Sequence, residues 1–171
     1  MALTNNTAQE IAVLLLVDTY NLWHTTRTRR GNSTVLYPKM IEFIMKSLNE
    51  PAIEEQIAYI VRLRNSDPFI KFFQRELNFF VKMKDIRPSK ADNFDVELTI
   101  DALKSSASDI AICSSSKNLI PLIQTLQAHR KTVYIFGSGI PREIHSLCIA
   151  RELPSSVLEK PNQEETVETT E

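Results

Sequence analysis

Glycine is scarce, with three residues in a chain of 171, and that scarcity argues against a glycine-rich phosphate loop anywhere in the sequence. Cysteine is scarcer still. Cys113 and Cys148 make neither a disulfide framework nor a zinc site, so a reducing, cytoplasmic setting is expected. Long apolar runs are missing: the longest, Ile11 to Val17, has seven residues, against the ~20 a membrane helix needs. No membrane partner is expected. Met1 to Glu10 is polar and lacks the charged start and apolar centre of a signal peptide. Basic charge is not in excess either, since 20 Lys and Arg face 21 Asp and Glu for a net charge of −1. That excludes a globally basic nucleic-acid protein while leaving room for a local basic patch.

What is present is the composition of a folded domain, 43% hydrophobic and 24% charged. Ile11 to Val17 is apolar on both faces and reads as a central parallel strand covered by helices. A polar loop is expected from Asp18 to Leu36. Tyr37, Met40, Ile41, Ile44 and Leu48 then fall at helical spacing behind Pro38. Gln56 to Leu63 reads as the second strand. Ser66-Asp67-Pro68 signals a helix start, with Phe69, Phe72, Phe73, Leu77 and Phe80 as its stripe. Val81 to Ile86 is a third strand, and Asp95 to Ser105 a helix with Val96, Ile100 and Leu103 on its apolar side. Asp109 to Cys113, a helix from Ser116 to His129, Thr132 to Phe136 and a last helix from Arg142 to Leu153 complete the rhythm. Strands alternating with helices in this way predict an α/β fold, a three-layer sandwich with a mainly parallel central sheet and helices on both faces. Residues 1–10 read as an extension, 11–156 as one domain and 157–171 as an acidic disordered tail.

In such a sheet, ligands bind outside the carboxyl ends of the strands. Three places are expected to meet there. Asp18, with Asn21 close behind, ends the first strand; an aspartate there is also an ordinary turn or cap residue. Asp95, Glu97 and Asp101 lie within one short stretch. The helix dipole accounts for acids in a first turn, so for Asp95 and Glu97 more readily than for Asp101. Glu97 and Asp101, spaced i and i+4, repel mildly unless solvated or bridged by a cation. Asp95 lies roughly 160° around the helix from Glu97, so one metal could not use all three. The third place is Ser114 to Asn118 after the fourth strand, where small polar residues suit capping and no nucleophile elbow surrounds a serine.

Between the first strand and the first helix stand Tyr20, Trp23, His24, Arg27, Arg29 and Arg30. Arginine pairs with phosphate and aromatic rings stack on bases; an ordinary solvated loop has the same composition. Lys82, Lys84, Arg87 and Lys90 add positive charge around the third strand. Phe69 to Phe80 is aromatic enough to form an interface with a protein partner or a second copy, though packing on the sheet explains it more simply.

Taken together these segments resemble the NYN domain, a branch of the PIN-like nuclease superfamily. Leu15-Leu16-Val17-Asp18-Thr19-Tyr20-Asn21-Leu22 is similar to that family's strand ending in Asp-Gly-x-Asn-Leu. Asp95 to Ala102 resembles its Val-Asp-Val-x-Leu-x-x-Asp-Ala segment. Ile112 to Ile123 resembles LVSGDSDFVPLI, and Val133 to Gly137 the following Val-x-Val-Phe-Gly. The resemblance implies metal-dependent hydrolysis of RNA. Mg²⁺ or Mn²⁺ would be held by Asp18 and Asp95, Asn21 would orient the site, and Ser116 and Asn118 would line it. Trp23, Arg27, Arg29, Arg30, Lys90 and Lys117 would contact RNA. The departures are as informative: two family aspartates are Ser116 and Asn118 here, Lys117 stands between them, and the late Ala-Asp-x-Phe becomes Ala150-Arg151-Glu152-Leu153. Three functions follow as expectations: a divergent ribonuclease with a partly degraded acidic site, an inactive PIN-like fold that binds RNA, or a platform for protein interaction.

Overall fold

The computed structural model describes residues 12–49, 53–85 and 94–161. The first strand, β1 (Val13–Asp18), is buried along its whole length, as its two-sided apolar run requires. Five further strands flank it: β3 (Ile53–Arg62), β4 (Phe80–Asp85), β5 (Asp109–Cys113), β6 (Thr132–Gly137) and β7 (Ile149–Glu152). Their order is β4-β3-β1-β5-β6-β7, and every pairing is parallel. The chain leaves β1 toward β3 and later returns to β5 on its other side, so the order reverses between β1 and β5. A second, two-stranded antiparallel sheet joins β2 (Thr34–Val35) to β8 (Leu158–Glu159).

Alternate residues of the sheet feed two cores. On one side Val13, Leu15 and Val17 pack with helices α1 (Thr19–Arg29), α2 (Tyr37–Ser47) and α3 (Asp67–Lys71). On the other, Leu14 and Leu16 pack with α4 (Asp95–Lys104), α5 (Ile120–Ala128) and α6 (Arg142–His145). The expected sandwich is therefore present. Burying a leucine such as Leu16 contributes roughly 1.5–3 kcal/mol, and truncating it to alanine costs more because a cavity remains.

Several local expectations are corrected. The stretch from Asp18 is a helix to Arg29, not a loop to Leu36. Its buried residues are Thr19, Leu22 and Thr26, a helical spacing carried mostly by threonine and so hidden from a hydrophobic reading. Thr19 donates to the Tyr59 carbonyl at 2.8 Å, and Thr26 shares a 3.1 Å hydrogen bond with Ser138. On α4 the buried residues are Leu98 and Ala102, while Val96, Ile100 and Leu103 are exposed. The aromatic segment forms only a short α-helix followed by a π-type turn, Phe72–Glu76. Phe73 and Phe79 fill the core, and Phe80 opens β4 with its ring in solvent. The final helix stops at His145, and the chain returns as the edge strand β7. Ordered structure also runs past residue 156: Val157 is buried and Leu158–Glu159 pair with β2. Residues 1–11 and 162–171 lie outside the described residues, as do Arg87, Lys90 and Asn93.

Candidate active site

The carboxyl ends of β1 and β5 meet at the point where strand order reverses, the place where open parallel sheets bind ligands. Asp18 closes β1 and caps α1. Its carboxylate is 2% exposed and accepts the Asn21 N–H at 3.0 Å. Burial pushes its pKa up to about 6; the backbone amides oppose the shift and the negative charge of Asp95 adds to it. The Asn21 side chain reaches across to the end of β5, where its Oδ1 accepts the Ser115 N–H at 2.8 Å. Ser115 in turn donates to the Ser138 carbonyl at 3.1 Å. Gly137 makes room for this, because a Cβ there would overlap the Ser115 hydroxyl. Ser115 thus supports the crevice with Ser138 and Thr26, two residues the sequence did not point to; Gly137 and Gly139, two of the chain's three glycines, were the available signal.

Asp95 is the first residue of α4. Its Oδ2 accepts the Asn118 side-chain amide at 2.7 Å and the Ser116 hydroxyl at 3.3 Å. An ionised carboxylate only accepts, so the NH₂ side of the amide must face it. Ser116 also caps the 3₁₀ turn Lys117–Leu119 by accepting the Asn118 N–H. The structure therefore groups Asp95 with Ser116 and Asn118, groups Asp18 with Asn21, and brings the two groups within electrostatic reach of each other.

The other two acids of α4 belong elsewhere. Asp101 accepts from Lys82 at 2.6 Å and from the Tyr59 hydroxyl at 2.6 Å. Glu97 pairs with Lys84 at 2.7 Å. The cation that relieves the i, i+4 repulsion is a lysine for each, both from β4, so Lys82 and Lys84 serve the fold and not a basic groove.

The expected nucleic-acid contacts divide. Trp23 is 45% exposed on α1 and carries the Arg27 guanidinium 5.2 Å from its ring centre. Arg29 lies beside Gly139. Arg30, at the end of α1, faces Glu152 at 3.8 Å and the Leu153 carbonyl at 3.5 Å. Lys117, between Ser116 and Asn118 in the chain, reaches Glu143 at 3.1 Å. Lys90 lies outside the described residues. Glu152, on the strand where a helix was expected, accepts the N–H groups of Gly139 and Ile140 at 2.8 and 2.7 Å.

Mg²⁺ and Mn²⁺ take hard oxygen ligands. Among the described residues no three His, Cys, Asp or Glu side chains gather where they could hold an ion. At Asp95 one carboxylate oxygen is already engaged by two hydrogen-bond donors. The described residues do not by themselves supply the ligands of a divalent metal.

An all-parallel sheet with an aspartate and an asparagine at the tip of its central strand, faced by a helix that opens on a second aspartate, defines a PIN-like α/β domain. The NYN domain family model matches residues 12–153, and the chain belongs to that family. NYN domains generally bind RNA, and the nucleases among them generally depend on divalent metals. The crystal structure of a protein of unknown function from Vibrio parahaemolyticus is similar, with a TM-score of 0.75 and 19% identity over 88% of this chain and 97% of that one. At that identity the likeness concerns the fold. No curated protein matches the chain. No helix among the described residues is long and apolar enough to cross a membrane.

Proposed function

We propose that this NYN domain binds RNA at the carboxyl ends of β1 and β5, and that its hydrolytic site is neutralised, leaving cleavage weak or lost. The observation that carries this reading is the 2.7 Å hydrogen bond from the Asn118 amide to Asp95. An amide donor occupies the carboxylate at a position that, by the resemblance, matches another acid of the family. Without that acid, and without the one replaced by Ser116, two carboxylates remain to attract an ion. An ion held that weakly would do little to acidify a water for attack on phosphate. Asp18 and Asp95 are the residues through which any residual metal binding would run. Arg27 and Arg29, on a helix that begins at the crevice, supply the positive charge that a phosphate backbone requires.

RNA should bind the full chain equally well in EDTA and in Mg²⁺, as read by fluorescence anisotropy of a labelled oligonucleotide. Cleavage should stay near background and be no lower in Asp18→Asn. The double variant Ser116→Asp, Asn118→Asp should raise Mg²⁺ or Mn²⁺ affinity measured by calorimetry. Strong cleavage by the natural protein that Asp18→Asn abolishes would overturn the reading. No gain of metal binding in the double variant would mean that these positions do not stand where the family's aspartates stand.

A further inference from the structure

The outward face of α1 has a composition that the crevice does not explain. Tyr20, Trp23, His24 and Arg27 follow one another at spacings of three and four residues, which places them side by side on a helix. The Tyr20 and Trp23 ring centres are 5.9 Å apart. Tyr20 and His24 are nearly parallel, at 12° and 6.5 Å, beyond the ~3.5–4 Å of direct carbon contact, so neither ring fully covers the other. Arg27 extends the row by lying over Trp23. Tyr20 rests partly against the core, but Trp23, 45% exposed, is kept in water at a hydrophobic cost that packing does not explain.

Beside the row is a cavity of about 210 Å³ lined by Trp23, His24, Arg27, Thr28 and Asn32. It is smaller than the roughly 300–1,000 Å³ of drug-sized ligand sites and suits one planar ring with its polar substituents. Its walls offer ring faces, a guanidinium, a hydroxyl and an amide. No acid lines it, and the stretch of chain from Thr19 to Ile41 has Arg27, Arg29, Arg30 and Lys39 and no acid, in a protein whose net charge is −1. Arg30 is matched by Glu152 and Arg29 lies against Gly139, which leaves Arg27 beside the rings as the complement to a phosphate.

We propose that this face of α1 is a nucleobase-stacking site. An unpaired base of an RNA strand stacks on Trp23 at the mouth of the cavity while Arg27 holds the adjoining phosphate. The inference rests on the RNA-binding reading above and adds to it where, and by what chemistry, the strand is gripped. Nine residues of helix rise separate Asp18 from Arg27, about 13 Å, so the site lies a short run of strand away from the crevice.

Trp23 is the only tryptophan in the chain, and its fluorescence reports the site directly. A single-stranded RNA 12-mer should quench it, and the duplex of the same sequence should quench it much less. Trp23→Ala should weaken binding of the single strand by about tenfold, within the range for loss of one base–aromatic stack, with most of the affinity kept in Trp23→Phe. Stacking releases no counterions, so Trp23→Ala should leave the slope of log affinity against log salt unchanged. Arg27→Gln should lower that slope by about one. Single-stranded RNA that binds without quenching, and with undiminished affinity for Trp23→Ala, would overturn the stacking site and leave the RNA-binding reading standing. Failure to bind RNA at all would overturn both. A change in sedimentation of Trp23→Ala with no change in RNA affinity would assign the face to a protein contact instead, and so also overturn it.

Discussion

Two sides of α4 hold acids under opposite regimes. At the β4 side, Asp101 and Glu97 each meet a lysine, and the Tyr59 hydroxyl adds a second short hydrogen bond to Asp101. At the crevice, Asp95 is held by a neutral amide and a hydroxyl, and the groups that favour the charge on Asp18 are backbone amides. The first arrangement holds charge in place and stabilises the fold. The second holds Asp18 at a disadvantage, a feature that clusters at functional sites because stability alone would remove it. An acid matched by a counter-charge contributes to the architecture; a buried acid with a raised pKa makes its surroundings a candidate functional site.

The largest expected effect would break the comparison at Asp18. Its folded pKa, about 6, stands above the ordinary 3.8. Between those values the folded state binds more protons than the unfolded one, so stability is full below about pH 4 and falls as pH rises through 6. By the ~1.4 kcal/mol that each pH unit represents, about 3 kcal/mol is lost by neutral pH. Asp18→Asn keeps an oxygen for the Asn21 N–H and loses the charge. Urea unfolding should show it more stable than the natural protein by up to about 3 kcal/mol at pH 8, with little difference at pH 4. Equal stability at both pH values would mean that Asp18 bears no such cost.

Asp101→Asn attacks the other regime and should have the opposite sign. It weakens the bonds from Lys82 and Tyr59 at a position where the carboxylate is mostly buried, and a loss of about 1–2 kcal/mol is expected. A stabilised Asp101→Asn would erase the distinction between the two sides of the helix. Lys84→Ala tests the same regime nearer to solvent. Burial raises the Glu97 pKa, but the hydrogen bond and charge of Lys84 outweigh it and hold the carboxyl below its ordinary value. That contribution is present at neutral pH and lost as pH falls through the lowered folded value. Partly exposed ion pairs contribute little, so a loss below about 1 kcal/mol at pH 7 is expected, shrinking further in acid.

Much of this molecule follows from local pattern. The unbroken apolar run of β1 requires a central strand, because no other place in a sheet buries both faces. The apolar spacing of α2 and α5 and the proline at the start of each mark those helices. That Asp18 and Asn21 stand where the first strand ends, and that Asp95 opens a helix of its own, was legible from the alternation of strands and helices. Which face of α4 turns inward was not legible: Val96, Ile100 and Leu103 fit the helical period as well as Leu98 and Ala102 do, and only contact with the sheet selects between them. Nor was α1, whose buried side is threonine satisfied by the Tyr59 carbonyl and by Ser138, partners distant in sequence. The same holds for the short strand β7, and for Asp101, an acid whose counter-charge comes from β4. Local pattern determines what each segment can bury; which carboxylates receive a partner is decided only when distant strands meet, because hydrogen bonds and ion pairs act over a few ångströms and the chain must fold to bring them that close.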